Sequence, residues 1–407
     1  MLKRKATNFM KNWINTKDKK CLVVQGARQT GKTYTVERFA EENYEELVEI
    51  NFKQMPSAME IFSGDLTVDA MVMGMRFRFP EKKIIPGKTL IFLDEIQECQ
   101  EAVTSLKFWA IDNKYDVIVS GSLLGIDYKR ASSYPVGYVD YLKMYGIDFE
   151  EFLYANGMNE IAISAIQKKF ERLEALDESM HSKMMDLFRK FLLVGGLPDA
   201  VNSYIEEKNI QSVREIQSEI HDYYAADASK YDEEKKLKIR RIYDLIPSNM
   251  ENRKKRVVAQ SIENKKGKTF NDYEDEFEYL ISAGIALNVQ AISNPVFPLI
   301  ESTGKNLLKL YLNDVGILTG ILYGNNIRAV LNDEKSINLG SVYESVVASE
   351  LIAHGYKLFY YDNRSKGEVD YLIDDYDSLS AVPIEVKSGK DYTVHSALNI
   401  TGFYQGG

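Results

Sequence analysis

The 407-residue chain has only two cysteines, Cys21 and Cys99. Two cysteines cannot make a disulfide framework, so a reducing, cytoplasmic setting is expected. No stretch approaches the roughly 20 apolar residues that cross a bilayer, which argues against a membrane partner. The basic start, MLKRKATNFMKNWINTKDKK, is followed by no long apolar run and does not read as a secretory signal. Positive charge is in the minority: 51 Lys and Arg against 60 Asp and Glu leave a formal charge of −9. That balance argues against a wholly basic nucleic-acid binder while leaving room for a local basic patch. The four histidines, His181, His221, His354 and His395, are scattered without ligand spacing and read as surface or packing residues. There is no internal repeat and no low-complexity tract. What remains is an ordinary globular composition, 45% apolar and 27% charged, in a chain too long for one core, so two or three domains are expected.

Residues 1–155 alternate apolar strands with helical patterns. CLVVQG (21–26), ELVEINF (46–52), TLIFLDEIQ (89–97) and YDVIVSGS (115–122) read as strands, with helices over 32–42 and 101–112. Strands that end in polar residues predict a parallel sheet with sites at its carboxyl ends. Residues 143–230 read mostly as helix, with VGGLP (194–198) as a stop. Residues 235–325 predict short helices and a small sheet. From about 335 a helix (340–355) precedes strands at 357–361, 368–373 and 381–387.

Gly26-Ala27-Arg28-Gln29-Thr30-Gly31-Lys32-Thr33 fits the phosphate-loop pattern GxxxxGK[ST] at every fixed position. The glycines let backbone N–H groups turn inward as an anion nest at a helix start. Lys32 would reach the β- and γ-phosphates, and Thr33 would offer a hydroxyl to Mg²⁺. A strand before and a helix after supply the context the motif needs. About 60 residues on, the buried run Leu90–Leu93 delivers Asp94, a candidate Mg²⁺ holder, and Glu95, a candidate base for an attacking water. At the end of the next strand Ser120 and Ser122 flank Gly121 and are candidate γ-phosphate sensors; a plain Ser–Gly turn is the alternative.

Near the C-terminus, Glu344 on a helix, Asp370 at the start of a strand, and Glu385 and Lys387 two apart on another form a Glu…Asp…Glu-x-Lys pattern. This is the signature of restriction-endonuclease-like folds. Its carboxylates can hold Mg²⁺ against a scissile phosphate while the lysine orients water. The alternative is an amphipathic edge strand whose Glu385 and Lys387 simply pair, worth at most about 1 kcal/mol. In the middle, EDEFEYLISAGIALNVQ (274–290) reads as a helix running into a strand after Gly284, and with IRRIYDLIPSNM suggests a winged-helix-like unit. A basic cluster, Arg253, Lys254, Lys255, Arg256, Lys265, Lys266 and Lys268, could contact DNA phosphates or be a solvated loop. Glu274, Asp275, Glu276 and Glu278 would repel phosphate from the helix, favouring a winged helix used for packing.

GARQTGKT, FLDEIQ, VSGSLLG, SSYPVGYVDYLKMYGIDFEEFL, VGGLP, LLKLYLNDVGIL and GSVYESVV…GEVDYLI…IEVKSG follow one another over nearly the whole chain. In this order they resemble prokaryotic AAA-type ATPases with a C-terminal domain of unknown function. The resemblance implies ATP rather than GTP, a winged-helix-like unit and a nuclease-like core. It also implies an active site often completed by an arginine from a neighbouring copy, hence a homo-oligomer. Tyr138 stands where the family often has a basic residue after the glycine of PVG; if that residue acts on phosphate this chain lacks it, and Arg28 or Arg130 would be weak substitutes. Relatives continue past TGFYQGG, so a C-terminally shortened last domain is expected.

The expected fold is thus α/β, with a P-loop parallel sheet in an ATPase domain (1–155) and a helical lid or linker (156–234). A winged-helix-like domain (235–334) and a nuclease-like α/β domain (335–407) would follow. The expected function is an Mg²⁺-dependent ATP-hydrolysing switch. Two alternatives stand beside it: an ATP-gated nuclease or DNA-binding protein, and a slowly hydrolysing scaffold that recruits a protein partner.

Overall fold

The computed structural model describes residues 2–121, 135–227, 233–252, 255–303, 307–332, 334, 337, 339–363 and 367–388. Ser122, Arg130, Arg253, Lys254 and His395 lie outside them. The chain forms two compact units, Met1–Tyr145 and Gly146–Gly407.

The first unit opens with helix α1 (Lys5–Ile14), which buries Ala6, Met10 and Trp13, spaced four and three apart on one face. There follow β1 (Cys21–Gln25), α2 (Lys32–Asn43), β2 (Glu46–Asn51), α3 (Val68–Arg78), β3 (Thr89–Asp94), α4 (Gln100–Asp112), β4 (Asp116–Gly121) and β5 (Val139–Lys143). Every strand pairing is parallel, and the order across the sheet is β2-β3-β4-β1-β5. The four expected strands are there, each slightly shorter, and β5 adds an edge strand that buries Val139 and Leu142.

Both faces of the central strands are packed, which is why TLIFLD is apolar without a break from Leu90 to Leu93. Alternate side chains feed two cores. Ile91 and Leu93 join Val117, Val119 and the helices α3 and α4. Leu90 and Phe92 join Leu22, Val24, Ile118 and the helices α1 and α2. The sheet is thereby clamped between layers, and its polar strand ends line up along one edge.

The second unit begins with mostly helical chain: α5 (Phe149–Ala155), α6 (Glu160–Glu171), α7 (Glu178–Val194), α8 (Pro198–Glu207), α9 (Ile210–Asp227), α10 (Glu233–Glu251), α11 (Ala259–Glu263) and α12 (Glu274–Ser282). Then come β6 (Ala286–Ile292), β7 (Leu308–Leu312), α13 (Val315–Tyr323), α14 (Ile327–Leu331), α15 (Gly340–Ala353), β8 (Phe359–Asn363), β9 (Gly367–Asp375) and β10 (Ser380–Ile384). The strands form one sheet in the order β10-β9-β8-β6-β7, parallel only between β6 and β8. Strands from either side of position 335 therefore share one sheet. The helix-then-strand pattern over 274–290 appears as α12 and β6.

VGGLP does more than stop α7. The buried Asp314 caps α13 by accepting from Ile317 N at 2.9 Å and also accepts from Gly196 N at 2.6 Å. Gly195 has φ +72°, and a Cβ there would sit 2.3 Å from Asp314 Oδ1, so the sequence needs glycine where the carboxylate approaches.

Two C-terminal placements differ from expectation. Asp370 lies within β9 rather than at its start, and β10 ends at Ile384, so Glu385 and Lys387 follow the strand instead of sharing a face inside it. The physical reason is that Val386 N donates to Asp370 Oδ2 at 2.9 Å, which takes that amide out of a ladder.

Asp314→Ala should destabilise the protein by about 2–4 kcal/mol, since it removes a helix cap and strands two buried N–H groups. Asp314→Asn, which keeps an acceptor oxygen, should cost less. Urea unfolding midpoints of the two variants check this; equal losses would mean the carboxylate position is unimportant.

Candidate functional site

The loop between β1 and α2 is shaped by backbone conformations that side chains resist. Gly26 has φ +156°, and a Cβ there would lie 2.1 Å from the Met144 carbonyl oxygen, whose own N–H donates to Gln25 O at 2.6 Å. Gly31, at φ +82°, is the residue before α2 and provides no side-chain cap, so the first N–H groups of the helix keep their capacity for an anion. Arg4 donates to Thr30 O at 3.0 Å and Tyr145 O at 2.8 Å, tying the loop to α1. Thr30 Oγ1 donates to Ala27 O at 2.8 Å. Ala27 and Thr30 are buried, Arg28 half-buried and Gln29 exposed.

Lys32 is only 9% exposed. Its ammonium donates back to Gly26 O at 3.0 Å and Ala27 O at 2.8 Å. Burial pushes its pKa down to about 8, opposed by Glu95 and Asp94. A desolvated cation held by two loop carbonyls is poised for a stronger acceptor.

Asp94, 4% exposed at the end of β3, collects donors from every side. Its carboxylate accepts from Thr33 Oγ1 at 3.2 Å, Asn51 Nδ2 at 2.8 Å, the Glu95 N–H at 3.0 Å and the Ser120 hydroxyl. Parallel pairing sets this up: Asn51 is the β2 partner of Asp94, and Leu93 pairs with Val119, one residue before Ser120. Glu95 follows at φ +53°, a strained left-handed position for a residue with a side chain, of the kind that clusters at functional sites. Its carboxylate pairs with the Lys53 ammonium and accepts from Gln97 Nε2 at 2.6 Å. Burial works to raise the Glu95 carboxyl, but these two donors hold it below its ordinary value. Asn51 and Lys53 escaped the sequence analysis; their only signal was their place at the end of the strand next to β3.

In the second unit, Glu344, Asp370, Glu385 and Lys387 come into one neighbourhood. Glu344 is 3% exposed; burial first, then Asp370, raises its carboxyl, and Lys255 opposes. Lys255 forms an ion pair with Glu344 Oε1, while Glu344 Oε2 is buried with no partner among the described residues. Glu385 pairs with Lys387 through Oε1, and its Oε2 is also buried without a partner among the described residues. Burial alone would lower the Lys387 ammonium, yet Glu385, Asp370 and Glu344 together raise it. Lys255, Lys265 and Lys268 of the basic cluster are paired with Glu344, Glu263 and Asp272, so much of its charge is spent locally.

One histidine does join acids. Ligand atoms of Asp148, Glu350 and His354 lie within 4.8 Å of one another. Two of them serve the start of α5: Asp148 accepts from Glu151 N and Glu350 from Phe149 N, each at 2.8 Å. Among the described residues no helix is long and apolar enough to cross a membrane.

A parallel sheet with a glycine loop opening a helix, and an acid at the end of a neighbouring strand, defines a P-loop nucleotide-binding unit. Residues 18–153 match a family described as an AAA domain. Residues 185–326 and 339–406 each match a domain of unknown function. No curated protein matches the chain. Among solved structures, a Walker-type ATPase of Pyrococcus abyssi is similar at 12% identity, covering 82% of this chain and 96% of its own, with a TM-score of 0.45. An ORC1 protein of Aeropyrum pernix in complex with DNA is similar at 12% identity, with 82% and 93% covered and a TM-score of 0.29. A RuvB protein of Thermotoga maritima is similar at 14% identity, with 70% and 89% covered and a TM-score of 0.32.

Lys32 carries a stability signature. Its folded pKa of about 8 lies below the ordinary 10.5. Between those values the unfolded chain keeps a proton that the folded chain has released, so stability rises with pH across that window. The stability of wild type relative to Lys32→Met, in nucleotide-free protein, should increase from pH 8 to 10 by up to about 1.4 kcal/mol per pH unit. Paired urea titrations measure it; a flat or falling difference would contradict a buried ammonium.

Proposed function

We propose that the N-terminal unit binds ATP with Mg²⁺ and hydrolyses it, and that the chain is a nucleotide-driven switch. The observation that carries this reading is the gathering of Thr33, Asn51, Ser120 and Asp94 beside a phosphate loop whose Lys32 is held only by the loop's own carbonyls. The residues fit the cofactor: Asp94 is a buried acid whose hydrogen-bond donors among the described residues are neutral, and Gly31 leaves the first N–H groups of α2 without a side-chain cap. Thr33 and Asp94 would hold Mg²⁺, which supplies neutralisation of phosphoryl charge when bound.

Lys32 would exchange Gly26 O and Ala27 O for phosphate oxygens, trading neutral acceptors for charged ones. Gly26 to Thr33 would give backbone N–H groups to the phosphate chain. Ser120 would report on the γ-phosphate through Asp94, with Ser122 a further candidate. Glu95, held ionised, is suited to take a proton from water, and Lys53 would have to release it first.

Lys32→Ala should weaken ATP binding by at least about tenfold, since a charge-assisted contact is lost. Glu95→Gln should keep ATP affinity and lower phosphate release by about a hundredfold or more. Calorimetry and a phosphate-release assay separate these, and equal ATP affinity in wild type and Lys32→Ala would remove the reading. Tight ATP binding with negligible release in wild type would leave the slowly hydrolysing scaffold.

A second reading, a metal-dependent nuclease in the C-terminal unit, is favoured by the partnerless buried oxygens of Glu344 and Glu385 near Asp370 and Lys387. A buried carboxylate oxygen without a donor suits a cation. DNA incubated with the protein, ATP and Mg²⁺ or Mn²⁺ should be cut by wild type and spared by Asp370→Asn and Glu385→Gln. No cutting, or cutting indifferent to both substitutions, assigns these residues a structural part.

A further inference from the structure

In the second unit, α9 and α13 enclose a cavity of about 290 Å³ that the nucleotide reading does not use. It is lined by Arg214, Ser218 and His221 from α9 and by Ile317, Gly320 and Ile321 from α13. That volume is at the small end of ligand pockets.

Arg214 is the unusual member. It is 8% exposed. One nitrogen, Nη1, makes every hydrogen bond the guanidinium has: to Leu193 O at 3.1 Å, Gln217 Oε1 at 2.7 Å, Gly316 O at 2.8 Å and Thr319 Oγ1 at 3.2 Å. Nε and Nη2 are buried and have no acceptor among the described residues. His221 Nε2 is likewise buried without a partner, its ring stacked on Tyr243 at 5.0 Å between centroids. No lining residue is acidic. The carboxylate that bears on Arg214, Asp314, is already committed to Gly196 N and Ile317 N.

A buried cation normally has a partner, because desolvating a charge without one is costly. Here the planar fork has its Nε–Nη2 edge unsatisfied, and that edge is the geometry that takes a carboxylate or phosphate by two parallel bonds. The structure holds Arg214 in place with Nη1 and leaves the other edge over. Burial lowers its pKa only to about 10, so it is charged at neutral pH.

We propose that this cavity binds a small oxyanion, a carboxylate or phosphate of metabolite size, through the Arg214 fork, with the remainder of the ligand against Ile317 and Ile321. The site is independent of the ATP site and would sense a small anion in the helical part of the chain.

Calorimetric titration of the full chain tests it, in Lys32→Ala background so that phosphate binding at the nucleotide loop does not contribute. The probes are orthophosphate and succinate, with acetamide as the neutral control. One saturable site for either anion is expected, and the tighter probe identifies the chemistry. Arg214→Lys keeps the charge and loses the fork, and should weaken binding by at least about tenfold. Because Arg214 also supports the fold, Ile321→Trp is the second variant. Ile321 is 45% exposed, so tryptophan can fill the cavity without disturbing the Nη1 bonds, and should weaken binding equally at an unchanged melting temperature. The proposal is overturned if neither anion binds more tightly than about 10 mM, if folded Ile321→Trp binds like its parent, or if acetamide binds as well as the anions.

Discussion

A single buried carboxylate organises the nucleotide unit. Asp94 could not lie at the centre of a parallel sheet unpaired, because a desolvated charge without donors would cost several kcal/mol. The fold meets this with the end of β2 (Asn51), the end of β4 (Ser120), the first turn of α2 (Thr33) and the N–H of Glu95. Each donor is delivered by an element that Leu90–Leu93 also packs against or pairs with. The apolar strand and its terminal acid are thus one device: the strand sets the sheet position, and the acid ties the phosphate loop to it. The strained turn at Glu95 follows, since the chain must leave the strand at once to keep that carboxylate beside Lys53 and Gln97.

The second unit repeats the logic in helices. Asp314 joins the start of α13 to the end of α7, and Arg214 joins α9 to α7 and α13 through one nitrogen. These buried polar links need glycine at Gly195, where any side chain would collide with Asp314. They differ in one respect. Asp314 has donors around it, whereas Arg214 keeps an unmet edge beside a cavity. Polar groups left over in this way mark the places where a ligand can still be gained.

Legibility differed between regions for definite reasons. The loop from Gly26 to Thr33 and the pair Asp94–Glu95 are contiguous motifs, so their chemistry could be read from spacing. Asn51 and Lys53 could not, because their role comes from register across β2 and β3. Asp370, Glu385 and Lys387 were recognised as a set, but their positions in the strands were off: Asp370 draws Val386 N away from the ladder, a competition no pattern encodes. His354 lies one helical turn from Glu350, but the third member of the group, Asp148, comes from about 200 residues away. VGGLP read only as a stop, since its carboxylate partner lies more than 100 residues downstream.

By itself the sequence determined the parallel α/β start, the phosphate loop and the acidic strand end. Local backbone freedom at glycine, strand periodicity and helix placement are short-range properties that fixed residue spacing records. Tertiary structure alone decided which donors surround Asp94, that Lys53 pairs with Glu95, that strands on both sides of position 335 make one sheet, and that Arg214 keeps an unpaired edge. Those depend on which segments meet in space, and hydrogen-bond satisfaction in a packed interior is settled only after they have met.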